Sequence, residues 1–290
     1  MGVTSMENQL TGNCLAEIFG YPLRNTTDAA RAARQQHGCP FTGKTCTKQS
    51  QLLAYPFGVC AVERHDVVGA VCPQRFEEPN PETGNPRVLE DIARHYFGDP
   101  EGVLAFPNMR VPGLGSIDYV LVRHKPLKAE VEDFVAVDFQ ADAIGGADVV
   151  IQKLEEFMAG QDILTPTYQF GMNTDDALRR AMTQLFNKGI LYERWGMHGY
   201  WVIQEYVFTT LMRRYGFKPA GYAVDHAARF ALYDLTPQDD RFTLQLVRFV
   251  STTVDEVYQA MQQNLDLPEK DAFISTLNAK LKSKLSVKFK

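Results

Sequence analysis

The sequence lacks any long hydrophobic run. In 290 residues there is no stretch of about 18 consecutive apolar residues, so we expect no membrane-spanning helix. The N-terminal stretch has neither a basic leader nor an apolar segment of signal-peptide length, which favours a cytoplasmic protein with no membrane partner. Internal repeats and low-complexity tracts are also missing, so repeat architectures and largely disordered classes are excluded. The composition is that of a folded globular protein.

Cysteine and net positive charge are both scarce. The five cysteines are an odd number, which argues against a disulfide framework in a reducing compartment. The net charge of −5 gives no overall attraction to a polyanion, but basic residues cluster locally. The C-terminal KLKSKLSVKFK contains no acid, and residues 179–229 are rich in arginine and lysine. Nucleic acid therefore stays a candidate partner.

Four of the cysteines lie between residues 39 and 72, each beside glycine, proline or a polar turn. Thiolates carried on turns can surround one tetrahedral metal ion. The spacing lacks the two-residue knuckle of many such sites, so four ordinary buried cysteines remain an open alternative. The fifth, Cys14, lies on an apolar segment and is predicted to be in the core. The candidate ligands are Cys39, Cys46, Cys60 and Cys72.

The order of predicted elements indicates an α/β fold. Residues 77–87, EEPNPETGNPR, read as a linker, which predicts an N-terminal metal-binding module at 1–80 and a second domain at 81–290 that ends in a basic helical segment. Helices are predicted at 28–37, 88–97, 147–159 and 174–188, the first capped by Thr27 and the last capped by Thr174 and ended by Gly189. Strands are predicted in SIDYVLV, VEDFVAVDFQA and YWVIQEYVF. This pattern describes a mixed central β-sheet flanked by helices.

Two of these strands carry acidic residues among apolar ones. In VAVDFQA, Asp138 and Gln140 are two apart and share a face, while Val137 and Phe139 point to the core. If the strand that carries Asp118 lies alongside, the two carboxylates come close, and a Mg²⁺ ion would relieve their repulsion. The Gln140 amide would then orient a water molecule. The alternative is a capping Asp118 and a solvent-facing Asp138 on an edge strand.

Several motifs resemble the NotI family of type II restriction endonucleases, within the PD-(D/E)XK nuclease superfamily. They are CPFTGKTCTK, PFGVCAV, VCPQRF, GSIDYVLV, FVAVDFQA, FGMNTDDALRRAMTQLFNKG and LYERWGMHGYWVIQEYVF, in order from residue 39 to about 208. The four-cysteine pattern is the specific part. Two departures are that Ile117, not proline, precedes Asp118, and that Asp138 stands where glutamate is more usual.

The resemblance implies a Mg²⁺-dependent homodimer that cuts double-stranded DNA at a palindromic, often GC-rich site. It also implies one structural iron ion on the four cysteines, and zinc accepts the same ligands. The active-site residues implied are Asp118, Asp138 and Gln140, with Glu90 as an additional acid. Arg179, Arg180 and Lys188 are the expected DNA contacts, the two arginines as candidate readers of guanine. The rival interpretations are a metal-stabilised DNA-binding regulator without catalysis and a structure-selective repair nuclease.

Overall fold

A computed structural model describes residues 14–64, 66–163, 171–219, 221–263 and 269–285. Within these ranges, none of the helices has the length and apolar character needed to cross a membrane.

The N-terminal part is a small antiparallel sheet followed by a loop region with short elements. The sheet has the order β2-β1-β5-β6. Helix α1 is capped as predicted, because the Thr27 hydroxyl accepts a hydrogen bond from the Ala30 N–H. The elements are β1 (Cys14–Ile18), β2 (Tyr21–Pro22), α1 (Asp28–Gln36), β3 (Gly38–Cys39), β4 (Lys44–Thr45), β5 (Val59–Arg64), β6 (Val67–Ala70) and a 3₁₀ helix (Pro73–Glu77).

The rest of the chain forms a six-stranded mixed sheet with helices. Its elements are α2 (Arg87–Phe97), β7 (Val103–Val111), β8 (Gly115–His124), β9 (Val131–Gln140), β10 (Ile144–Gly145), α3 (Ala147–Met158), β11 (Gly171–Met172), α4 (Thr174–Trp195), β12 (His198–Gln204), α5 (Glu205–Tyr215), β13 (Ala228–Gln238), β14 (Arg241–Thr252), α6 (Val254–Gln262) and α7 (Lys270–Leu285). The strand order is β14-β13-β12-β9-β8-β7. Strands β9, β12 and β13 are parallel, and the outer pairs are antiparallel. The predicted α/β class with a mixed central sheet is confirmed.

Both faces of the parallel strands β9, β12 and β13 are covered over most of their length, as expected for strands that are apolar on both sides, whereas the edge strand β7 is largely exposed. Helices α4, α5 and α6 pack on one face around Trp201 and Phe230. On the other face, α2 packs with Val137, with Ala61 of the N-terminal sheet and with Phe76 of the 3₁₀ helix. The predicted domains 1–80 and 81–290 thus share one apolar cluster, and the boundary at residue 80 stays a prediction.

Helix α4 is longer than the sequence pattern suggested. The predicted end at Gly189 is wrong, because the helix continues to Trp195 and ends at Gly196 in the left-handed conformation. A Cβ atom on Gly189 would come within 2.7 Å of a Val254 methyl group at the start of α6. Gly189 therefore permits close helix packing instead of stopping the helix. Thr174 is not the cap either: Asn173 precedes the first turn, and the Thr174 hydroxyl donates to Asp142.

The segment YWVIQEYVF is also divided differently from the prediction. Strand β12 ends at Gln204, and Glu205 begins α5. The first part of the segment is strand β12, which pairs with β9 on one side and β13 on the other. Val207 and Phe208 lie on helix α5 and pack against the same apolar cluster as Trp201. A short continuous apolar run fits a buried strand and a buried helix equally well, so periodicity alone could not place this junction.

Candidate active site

Strands β8 and β9 separate at the two predicted acidic residues. Their pairing runs as far as Tyr119 opposite Val137. Beyond that point, the Phe139 N–H donates to the Asp118 carboxylate at 2.8 Å. The N–H of Asp118 in turn hydrogen-bonds to the Asp138 carboxylate and lowers its pKa. Because β9 lies between β8 and β12, Asp138 is not on an edge strand, and that alternative is excluded.

The two carboxylates lie in an environment that opposes their ionisation. Asp138 is 3% exposed, and its pKa is raised to about 6, chiefly by burial, which outweighs the lowering effect of Lys188 and is aided by the charge of Asp118. Burial also raises the pKa of Asp118, against the lowering effects of the Phe139 N–H and Lys188. A divalent cation between them would stabilise both charged forms. The pair therefore fits the donor chemistry of a Mg²⁺ site.

Lys188 reaches this pair from α4. Its amine lies 2.5 Å from an Asp138 carboxylate oxygen and 2.8 Å from the Ser116 carbonyl oxygen. The residue is only 4% exposed. Lys188 is predicted to contact DNA, and the ion pair with Asp138 holds its amine inside the protein and not on the surface. The sequence did carry a signal, because Lys188 follows Leu185 by one helical turn within the buried stripe.

Gln140 lies on the same face of β9 as Asp138, as the two-residue spacing predicts. Its side chain is buried, and its amide nitrogen donates to the Gln184 side-chain oxygen at 2.8 Å. Gln184 stands one turn before Lys188 on α4, so the helix contacts both polar residues of β9. The predicted Asp118, Asp138 and Gln140 are thus brought together, and the helix adds Gln184 and Lys188.

Tyr192 stands one turn after Lys188 on the same helix face. Its hydroxyl is buried beside the Asp138 carboxylate, although the two groups miss ordinary hydrogen-bond geometry. Burial raises the pKa of this hydroxyl, and the charges of Asp138 and Asp118 raise it further. The hydroxyl therefore lies near the carboxylate pair and faces Asp138.

The four predicted ligand cysteines converge, although they come from four separate segments. Cys39 and Cys60 lie in short strands and not on turns, whereas Cys46 follows β4 and Cys72 precedes the 3₁₀ helix. All four line one cavity of about 10 Å³, which has room for a single small ion or water. All five cysteines are free, and Cys14 is buried outside this cavity.

The sulfur atoms are not arranged as a ready-made metal site. Within the described ranges, no group of three or more histidine, cysteine or acidic side chains has that geometry. Burial raises the pKa of Cys72 to about 11 and also raises that of Cys60, so both are thiols without a cation. The four-sulfur donor set nevertheless fits an ion that prefers thiolate.

Comparison with known families decides the assignment. The family model described as "Restriction endonuclease NotI" matches residues 17–218. The chain belongs to this family. A search of curated proteins gave no match. As a member of the NotI family, the chain is a restriction endonuclease, a site-specific deoxyribonuclease that acts on DNA.

The NotI family match includes both groups of candidate residues. The carboxylate pair, Lys188 and the four cysteines lie within residues 17–218. Strands β13 and β14 and helices α6 and α7 lie beyond that range. The resemblance noted in the sequence is therefore confirmed, and it does not extend to the last two strands of the sheet.

Glu90 makes its described hydrogen bonds with the loop before α2 and not with the carboxylate pair of this NotI-family chain. Its carboxylate accepts hydrogen bonds from Asn80, Thr83 and Asn85 and so fastens the preceding loop. Helix α2, which carries Glu90, packs on the sheet face opposite α4. These contacts favour a structural role over the predicted additional acid.

Glu77 is a nearer acid that the sequence did not reveal. It accepts a hydrogen bond of 3.0 Å from the Tyr119 hydroxyl. Burial raises the pKa of Glu77, and the charge of neighbouring Asp118 raises it further. Glu77 ends the 3₁₀ helix that begins after Cys72, so its nearness depends on tertiary structure and not on any motif.

The two predicted DNA-contacting arginines lie on the first half of α4. Arg179 is exposed. The Arg180 guanidinium is half exposed, lies 3.5 Å from Asp176 and donates to the Ala141 carbonyl just after β9. The arginines therefore lie on the helix that carries Lys188, at the end where β9 leaves the active site.

Proposed function

We propose that this NotI-family chain is a type II restriction endonuclease that makes Mg²⁺-dependent double-strand breaks at a palindromic, GC-rich site. The observation that carries the proposal is the carboxylate pair Asp118 and Asp138 on neighbouring strands, within the family match. The sheet and its flanking helices are consistent with a PD-(D/E)XK nuclease.

Asp118 and Asp138 would hold the metal ion. Bound there, Mg²⁺ supplies a Lewis acid for the scissile phosphate and lowers the pKa of a bound water. Asp118 uses one carboxylate oxygen for the Phe139 N–H, and Asp138 uses one for Lys188. Because each carboxylate oxygen has two lone pairs, both groups retain acceptor capacity for a cation. Gln140, held by Gln184, orients the attacking water in line with the leaving 3′ oxygen.

The cysteine cavity would hold one iron ion, with zinc as the alternative, in a structural role. Four thiolates saturate a tetrahedral ion and leave no position for substrate. The ion would fix the loops around β3 and β4, which contribute few residues to the apolar clusters.

A homodimer on double-stranded DNA would match a palindromic site, because a two-fold axis places one active site on each strand. The arginines Arg179 and Arg180 would contact DNA from α4. Helix α7, exposed along its described side chains and followed by lysine-rich residues, would add phosphate attraction that does not depend on sequence.

Cleavage of a large sequenced DNA in Mg²⁺ tests the proposal. Discrete, reproducible fragments support it, and sequencing their ends gives the site and overhang. Binding without cleavage would instead indicate a DNA-binding regulator, and nicking without sequence preference would indicate a repair nuclease. Asp138→Asn protein in the same assay shows whether the cleavage belongs to this site.

A further inference from the structure

One face of α4 forms a second wall of the active site. Gln184, Lys188 and Tyr192 recur every four residues and so lie above one another on the helix. They contact or lie near Gln140, Asp138 and the carboxylate pair, respectively. The strands supply the acids, and the helix supplies a cation.

Lys188 has hydrogen-bonding capacity that the protein leaves unused. An ammonium group has three N–H donors. One is directed to Asp138 and one to the Ser116 carbonyl oxygen, and no described residue engages the third. The buried Tyr192 hydroxyl, one turn away, lies beside the same Asp138 carboxylate, which it approaches without ordinary hydrogen-bond geometry. Buried donors are normally satisfied, so the spare N–H of Lys188 beside a reactive site indicates a missing acceptor.

The alternative is that Lys188 only neutralises Asp138. A buried ion pair is weak evidence for a stabilising role, since apolar replacements of similar volume are often equally stable. Moreover, Lys188 directly pairs only one of the two acids. An anionic group that enters beside the carboxylates would accept from the free N–H of Lys188. On a nuclease, that group is the scissile phosphate.

We propose that Lys188 is a catalytic residue that donates to a non-bridging oxygen of the scissile phosphate and so supplies the positive charge that Gln140 lacks. This inference rests on the proposed function. The ammonium keeps its contact with Asp138 and stabilises the charge that builds on the phosphate oxygens as water attacks. Lys188 therefore extends from helix α4 and places a positive charge beside the metal site formed by strands β8 and β9.

Lys188→Met and Lys188→Arg test the role, with Lys153→Met as the matched control. Lys153 is also a helical lysine, and its amine lies 2.5 Å from Glu156 on α3. In single-turnover cleavage, Lys188→Met should lose about 100-fold or more, as for removal of one preorganised donor to a developing oxyanion. Lys188→Arg should recover part of that loss, and Lys153→Met should cleave normally.

Two further measurements separate catalysis from folding. At pH 8.5, Lys188→Met should bind Mn²⁺ without DNA at least as tightly as the parent protein, because a competing cation has been removed. The acidic limb of its cleavage profile should move to higher pH, since Lys188 lowers the pKa of Asp138. If Lys188→Met does not fold, Lys188→Gln, which keeps a polar group beside Asp138 without the charge, takes its place in the same assays.

Each result has one meaning. Parent-like cleavage by Lys188→Met would overturn the inference and leave the proposed function intact. If Lys188→Met lost cleavage only together with Mn²⁺ binding and a lower melting temperature, and its cleavage profile did not shift with pH, the catalytic role of Lys188 would also be overturned. Absence of cleavage by the parent protein on every DNA in Mg²⁺ would refute the proposed function itself.

Discussion

The Phe139 N–H donates to the Asp118 carboxylate across the gap where β8 and β9 separate. The side chain of Asp118 thus replaces a main-chain acceptor of the sheet ladder and still keeps one oxygen for another ligand. Asp118 therefore both supports the strand and can bind a metal ion. The substitutions Asp118→Asn and Asp118→Ala should separate these two roles.

Asp118→Asn should abolish cleavage and leave the protein folded. The amide oxygen can still accept from Phe139, but the negative charge needed for the metal is lost. We expect a loss of more than about 100-fold, because even outer partners of a metal ligand contribute about 10–100-fold. Asp118→Ala should also unfold more easily, by about 1 kcal/mol for the lost hydrogen bond. Cleavage assays and thermal melts measure the two effects, and Glu132→Gln, an exposed acid on β9, is the control.

Metal binding should weaken as the pH falls through about 6. Burial raises the pKa of Asp138 to about 6, so the carboxyl is protonated below that value and must lose a proton to bind a cation. Titration calorimetry with Mn²⁺ from pH 5 to 8 should show affinity falling about tenfold per unit below pH 6. Affinity that stays constant across this range would show that Asp138 is not a ligand.

Glu90 and Glu77 should respond differently to loss of charge. Glu90→Gln removes charged acceptors from Asn80, Thr83 and Asn85, so it should lower stability by about 1 kcal/mol and leave cleavage unchanged. Glu77→Gln removes a negative charge near Asp118 and should lower the pKa of Asp118. Carboxylate titration by NMR with parallel cleavage assays checks both. A catalytic loss in Glu90→Gln would restore that residue to the active site.

The cysteine cavity should bind one metal ion per chain. Cys60→Ser should lose that ion and melt at a lower temperature, whereas Cys14→Ser should retain it, since Cys14 lies outside the cavity. Binding should release protons, because burial raises the pKa of Cys60 and Cys72 and the thiols must ionise. Elemental analysis gives the stoichiometry, and thiolate-to-iron absorption distinguishes iron from colourless zinc. Full metal content in Cys60→Ser would refute the site.

Arg179→Ala and Arg180→Ala should each weaken DNA binding, measured with Ca²⁺ in place of Mg²⁺ to prevent cleavage. A guanine-reading arginine contributes about 1–3 kcal/mol of discrimination, whereas a phosphate contact weakens all sequences equally and reduces the salt dependence. Arg31→Ala on α1 is the control, as its guanidinium pairs with neighbouring Asp28. Unchanged affinity in both α4 variants would place the DNA elsewhere.

The sequence predicted the elements whose signals are local. Alternation in VAVDFQA placed Asp138 and Gln140 together, and the paired strands brought Asp118 alongside. Lys188 was assigned to the surface because charge on a helix normally faces solvent. Its position depends on the length of α4 and the separation of β8 from β9, which are tertiary features. The end of α4 was wrongly predicted at Gly189 for a similar reason. This glycine permits close packing against Val254, which is a tertiary contact.

The 3₁₀ helix Pro73–Glu77 spans the distance between two sites in very few residues. Cys72 lies immediately before it and lines the sulfur cavity, Phe76 packs with its ring centroid 5.7 Å from that of Phe139, and Glu77 accepts a hydrogen bond from Tyr119. The cysteine-containing part of the chain therefore cannot be exchanged independently of the central sheet. A chimera that grafts it onto another nuclease scaffold would have to carry Phe76 and Glu77 along, and matching the cysteines alone would leave the recipient's catalytic strand unsupported.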